Sequence, residues 1–135
     1  MAGSSATLTS REVVQFNFGS ISKRMDKLTI DWVADSAAAT VPTLALDFAA
    51  RPGYLIQAVT NPGATAPTDN YDITLVHAEG GDLAAGGLVD RDTANSEVKV
   101  FDPAPFLEGT VTFTLANNAV NSATGRLILY VTDER

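Results

Sequence analysis

Apolar and polar residues alternate with a period of two along most of this chain, and that alternation predicts strands. In Arg11 to Phe18, Val14, Phe16 and Phe18 share one face and Gln15 and Asn17 the other, until Gly19 and Ser20 break the run. Ile21 to Lys27 is too short and too charged to assign. Leu28, Ile30 and Trp32 then point inward over Leu28 to Val33, with Thr29 and Asp31 outward. Leu44, Leu46 and Phe48 oppose Ala45 and Asp47 over Thr43 to Ala49. Leu55 to Thr60 and Tyr71 to His77 are expected to pair with one another across a turn region that holds Asn61-Pro62-Gly63 and Pro67. Glu97 to Phe101 is a short strand, stopped by Asp102-Pro103-Ala104-Pro105, because two prolines cannot sit in a central ladder. The plainest strands come last: Gly109 to Leu115, with Val111, Phe113 and Leu115 on one face, and Thr124 to Thr132, with Leu127, Leu129 and Val131.

Between these segments the signals are those of turns. Arg51-Pro52-Gly53 is a chain reversal. Asp35 to Thr40 has room for one turn capped by Asp35, too short to hold a helix alone, and reads as a loop. About eight short strands without an amphipathic helix predict an all-β fold, an antiparallel β-sandwich of jelly-roll or Greek-key type. An immunoglobulin-like sandwich is the alternative, without its cysteine pair. Met1 to Ser10 is small, hydroxylated and without periodicity, and is expected to be a flexible arm before one domain over residues 11–135.

Composition then narrows the chemistry. Net charge is −7, with sixteen acids against nine bases, which disfavours nucleic acid and anionic lipid as partners. The chain has no cysteine, so neither a disulfide framework nor a thiolate metal site is available. No signal peptide or membrane-length apolar run is visible, so synthesis in a cytoplasm is expected. His77 is the single histidine, no serine has a G-x-S-x-G setting, and the glycines at 80, 81, 86 and 87 form no phosphate loop. Those glycines are expected to supply positive φ angles in turns. No enzyme activity and no cofactor are expected.

The acids Asp69, Asp72, Glu79, Asp82, Asp90 and Asp92 crowd one third of the chain. Asp90-Arg91-Asp92 with Asn95 and Glu97 has some of the spacing of a calcium loop. It lacks a mid-loop glycine, and Arg91 puts a positive charge inside the shell, so solvated loop carboxylates are expected and no metal ligand is assigned. Trp32, Tyr54, Tyr71 and Tyr130 are candidates for a sugar platform, although the first three alternate as core residues do. Ile128 and Tyr130 lie opposite Leu127, Leu129 and Val131, and Leu55 and Val59 lie opposite Tyr54 and Ile56. Strands apolar on both sides are covered on both sides, so Leu55, Val59, Ile128 and Tyr130 are the expected interface of an oligomer.

Four stretches carry a resemblance. They are Tyr54 to Gly63, Ala66 to Leu75, Asp90-Arg91-Asp92-Thr93-Ala94-Asn95, and Gly109-Thr110-Val111 through Gly125-Arg126-Leu127-Ile128-Leu129-Tyr130-Val131. In these the chain resembles small virion proteins of tailed bacteriophages. Where such relatives have an acidic turn after the second strand, this chain reads His77-Ala78-Glu79-Gly80-Gly81-Asp82, which removes acids from any metal role. The resemblance implies a capsid decoration (cement) protein: a β-sandwich homotrimer on the virion surface that braces the major capsid protein. A ring-forming head-tail connector or tail component is one alternative. A glycan- or receptor-binding module of a tail fibre is the other.

Overall fold

The computed structural model describes residues 3–18 and 21–133, with side chains for 3–14 and 24–133. Gly19 and Ser20, the expected break, lie outside the described residues. The described chain forms nine strands: β1 (Ser5–Phe18), β2 (Ile21–Val33), β3 (Leu44–Asp47), β4 (Gly53–Pro62), β5 (Asp72–His77), β6 (Glu97–Val100), β7 (Phe106–Leu107), β8 (Thr110–Ala116) and β9 (Thr124–Thr132). They build two antiparallel sheets, one of six strands in the order β1-β2-β9-β4-β6 with β7 also on β4, the other β3-β8-β5. The fold is an all-β sandwich. The strand beyond the expected eight is β7, a two-residue piece with too little sequence to show a period.

Except at β1–β2 and β6–β7, each connection carries the chain from one sheet to the other. This corrects the expected pairing of Leu55 to Thr60 with Tyr71 to His77. The first segment is in β4, which pairs with β9, β6 and β7; the second is in β5, which pairs with β8. A short turn-rich linker suits a hairpin, but the apolar faces of β4 and β5 are satisfied equally well by entering one core from opposite sheets.

The core lies between the sheets, as the alternation predicts. Leu28, Ile30 and Trp32 of β2, Leu127, Leu129 and Val131 of β9, and Val111, Phe113 and Leu115 of β8 are all buried. Removing a Leu or Phe side chain from water is worth about 1.5–3 kcal/mol, so these strands hold the fold together. One glycine is fixed by this packing: a Cβ on Gly125 would sit 2.2 Å from Cζ2 of Trp32, which pairs with it across β2 and β9. The Trp32 and Tyr71 rings meet at 5.8 Å between centroids. Burial pushes the Tyr71 phenol up to about 12, opposed in part by the Thr60 hydroxyl.

Two departures alter the surface. Ser5 to Ser10, expected in a flexible arm, belong to β1 and pair with β2 from Ser5↔Val33 onward. Each strand of this hairpin completes the other, so neither needs a strong pattern of its own. The hairpin also outruns its neighbour, because β9 pairs with β2 only from Met25 to Val33 while β1 pairs as far as Phe18↔Ile21. In β4 a register shift between Leu55 and Gln57 reverses the alternation. Leu55 and Ala58 are therefore both buried, and Val59 turns outward.

Candidate functional site

The surface most suited to a function is the outer face of the six-stranded sheet, built from rows of side chains across paired strands. One row runs Thr29, Ile128, Val59, Val98 across β2, β9, β4 and β6. The next runs Glu12, Lys27, Tyr130, Gln57, Val100. A third runs Val14, Met25, Thr132, Tyr54, Phe106, with the Tyr54 and Phe106 rings 5.0 Å apart. At about 4.8 Å between strands and about 6.7 Å between rows, the three rows span on the order of 400 Å² of sheet, in which the apolar and aromatic side chains are interrupted by Thr29, Glu12, Lys27, Gln57 and Thr132.

A fourth row, Thr7, Asp31, Arg126, Asn61, is polar. The Arg126 guanidinium holds Asp31 through Nε to Oδ1 at 2.6 Å and Nη2 to Oδ2 at 3.1 Å, and the Thr9 hydroxyl donates to Oδ2 at 2.9 Å. The hydrogen bond from Arg126 holds the Asp31 carboxyl below its ordinary range, against the opposing effect of burial. Glu12 likewise stands opposite Lys27. The four rows thus carry two acids and two bases, in a chain whose net charge is −7. Beside the Asp31–Arg126 pair a cavity of about 340 Å³ is lined by Trp32, Val33, Asn61, Gly63, Thr124 and Gly125.

Of the four expected interface residues, Val59, Ile128 and Tyr130 stand on this face in adjacent rows. Leu55 does not; the bulge in β4 puts it in the core at 0% exposure. Sequence reasoning missed Val98 and Val100, the two most exposed large apolar side chains among the described residues, at 61% and 63%. The signal was present, since both lie on the side of their strand opposite the buried Phe101. The four aromatics considered as a sugar platform are split between two sides: Trp32 and Tyr71 are in the core, whereas Tyr54, expected to face inward with them, packs on Phe106 on the outer face, one row from Tyr130.

The loop acids are not simply solvated, as the sequence suggested. Asp82 accepts N–H groups from Leu75 and Ala84 on Oδ1 and from Gly86 on Oδ2, organising the glycine loop. Positive φ angles occur at Gly80, Gly81 and Gly86, as expected, whereas Gly87 has none and is held against Phe101 and Ala84. Asp92 accepts the N–H of Ala94 and both the side-chain amide and the N–H of Asn95, and these bonds, the Ala94 one foremost, lower its carboxyl. Glu97 accepts the N–H of Asp92 at 2.7 Å. Asp35 accepts from Ala37 and Ala38, the cap expected for that turn. Such side-chain caps hold backbone turns that no ladder supports. His77 receives the Glu79 N–H on Nδ1, so Nε2 carries the proton and donates to Glu108 at 3.2 Å. Among the described residues no three acids or histidines are grouped to hold a metal ion.

The architecture is thus an antiparallel β-sandwich whose wide sheet has a charge-balanced, largely apolar outer face that no element among the described residues covers. Compared with known proteins, the chain matches no family model, no curated protein and no solved structure.

Proposed function

We propose that this chain is a structural protein that acts by binding other proteins through the outer face of its six-stranded sheet, in the form of a bacteriophage capsid decoration protein. The observation that carries the reading is the row Ile128–Val59–Val98 beside Tyr130 and Val100, in which apolar side chains from three strands meet on a face where acids and bases balance. Apolar contact with depleted net charge is what the centre of a protein interface requires. The phage assignment itself rests on the resemblance of the Tyr54 to Gly63, Ala66 to Leu75, Asp90 to Asn95 and Gly109 to Val131 stretches. In this reading three copies associate on the virion surface and brace the major capsid protein. A protein that binds only the assembled shell stabilises that state by its binding free energy.

The test uses expanded shells of the parent virus with and without the protein. Shells carrying it should survive heating and mechanical load that bare shells do not. The Ile128→Lys variant should fold, since Ile128 is only half-buried, yet leave the shells unprotected. Equal resistance of loaded and bare shells would sink the reading.

A further inference from the structure

The free edge of β6 carries an inference about self-association that goes beyond what the outer face binds. β6 ends the order β1-β2-β9-β4-β6, with one side on β4 and the other on no strand among the described residues. The Phe101 N–H donates to the Ile56 carbonyl at 3.0 Å. In an antiparallel ladder alternate residues turn N–H and C=O to the same side. Glu97, Lys99 and Phe101 therefore turn their backbone groups to β4, and Val98 and Val100 turn theirs to the open edge. This is a row of unsatisfied donors and acceptors with no proline inside it, in a strand whose outward valines are mostly exposed.

Lone edges of this kind are usually guarded by a charge such as Lys99, which opposes pairing with an arbitrary strand. A second copy of this chain is the exception. With a twofold axis at Val98, residue numbers of opposed residues sum to 196, so Lys99 of each copy faces Glu97 of the other and Val98 faces Val98. Other axes fail. An axis at Lys99 or Glu97 sets like charges opposite each other, and an axis at Val100 runs the strand end into Asp102-Pro103. An axis between residues opposes a backbone turned outward with one turned inward. Among the described residues Glu97 is engaged at home through Oε1, by the Asp92 N–H at 2.7 Å and by Arg91 Nε at 3.8 Å, and Lys99 lies 6.0 Å above the Phe101 ring. The geometry points to an isologous contact: two copies pair antiparallel through β6 about an axis at Val98, joining their six-stranded sheets into one.

Four strand residues a side bury less than the roughly 1,200 Å² of a stable interface, so this dimer forms with rising concentration. Sedimentation equilibrium of the full chain, from micromolar to millimolar, tests it. The wild-type mass should climb toward twice that of the chain. Val98→Pro removes an N–H that β4 does not use, so it should keep the same melting temperature and remain a monomer. Lys99→Glu should do the same by facing Glu97 with a like charge, and the exchange of both charges, Glu97→Lys with Lys99→Glu, should restore dimerisation. A wild type that stays monomeric at millimolar concentration overturns the proposal, as does a folded Val98→Pro variant that associates like wild type. Failure of the double exchange overturns the register. A trimer insensitive to Val98→Pro and Lys99→Glu but abolished by Ile128→Lys would overturn edge pairing while supporting the outer face as the site of association.

Discussion

Strand β9 sends Leu127, Leu129 and Val131 to one side and Ile128 and Tyr130 to the other, all of them apolar or aromatic, yet the two sides end in different environments. The first set lies under the three-stranded sheet and is buried; the second is half-buried on a face that no element of the described chain covers. The same division runs through β4, where Leu55 and Ala58 are interior and Val59 exterior. Hydrophobicity alone therefore does not identify the core of this protein. The packing of the second sheet does, because it covers one side of β9 and β4 and no element among the described residues covers the other.

The sharpest way to test the contrast is to truncate neighbouring residues. Leu129→Ala should cost about 2–5 kcal/mol of stability in a denaturant titration, from lost transfer energy and the cavity left behind. Ile128→Ala, one residue away, should cost well under that, at roughly 1 kcal/mol or less in the monomer. Equal losses at the two positions would mean that the outer face is covered after all.

A smaller effect is expected from Tyr71, which marks the interior by its phenol. Its folded value is raised to about 12 from an ordinary 10, so the neutral form is favoured by folding. The sign follows: this contribution is fully present below pH 10 and is lost as pH rises toward 12. Two units correspond to on the order of 2–3 kcal/mol across that window. Tyr71→Phe should flatten the alkaline limb of the stability profile relative to wild type, measured by chemical denaturation between pH 9 and 12. An unchanged limb would show that the hydroxyl is solvated.

The smallest effect belongs to the outer face. The Asp31–Arg126 pair is partly exposed, and a double-mutant cycle to alanine should return a coupling below about 1 kcal/mol, weaker still in high salt. Because the Asp31 carboxyl is depressed, its contribution is present above the ordinary carboxylate range and lost as pH falls through the lowered value. A large coupling would mean that the pair is desolvated, as it would be beneath a bound partner.

Much of this architecture was legible in the residue pattern. The inward set Leu28, Ile30, Trp32, the inward set Leu127, Leu129, Val131, the turn capped by Asp35 and the all-β class follow from a two-residue alternation and from local turn chemistry. Both act within a few residues of chain, so a sequence expresses them directly. The outward positions of Ile128 and Tyr130 were legible for the same reason. The position of Leu55 was not, because one extra residue in β4 reverses the faces, and only the partner strand shows that two residues oppose one.

Tertiary structure alone decided the rest. Which strands pair depends on contacts between distant segments, so β4 joined β9 while β5 joined β8. The strand character of Ser5 to Ser10 came from the partner in β2 and not from any pattern of their own. Alternation with Phe101 showed which way Val98 and Val100 point; that they stand at the edge of the sheet is a property of strand order that no local pattern encodes. The sequence by itself determined which side of each regular strand is apolar; the three-dimensional arrangement determined which of those sides were covered.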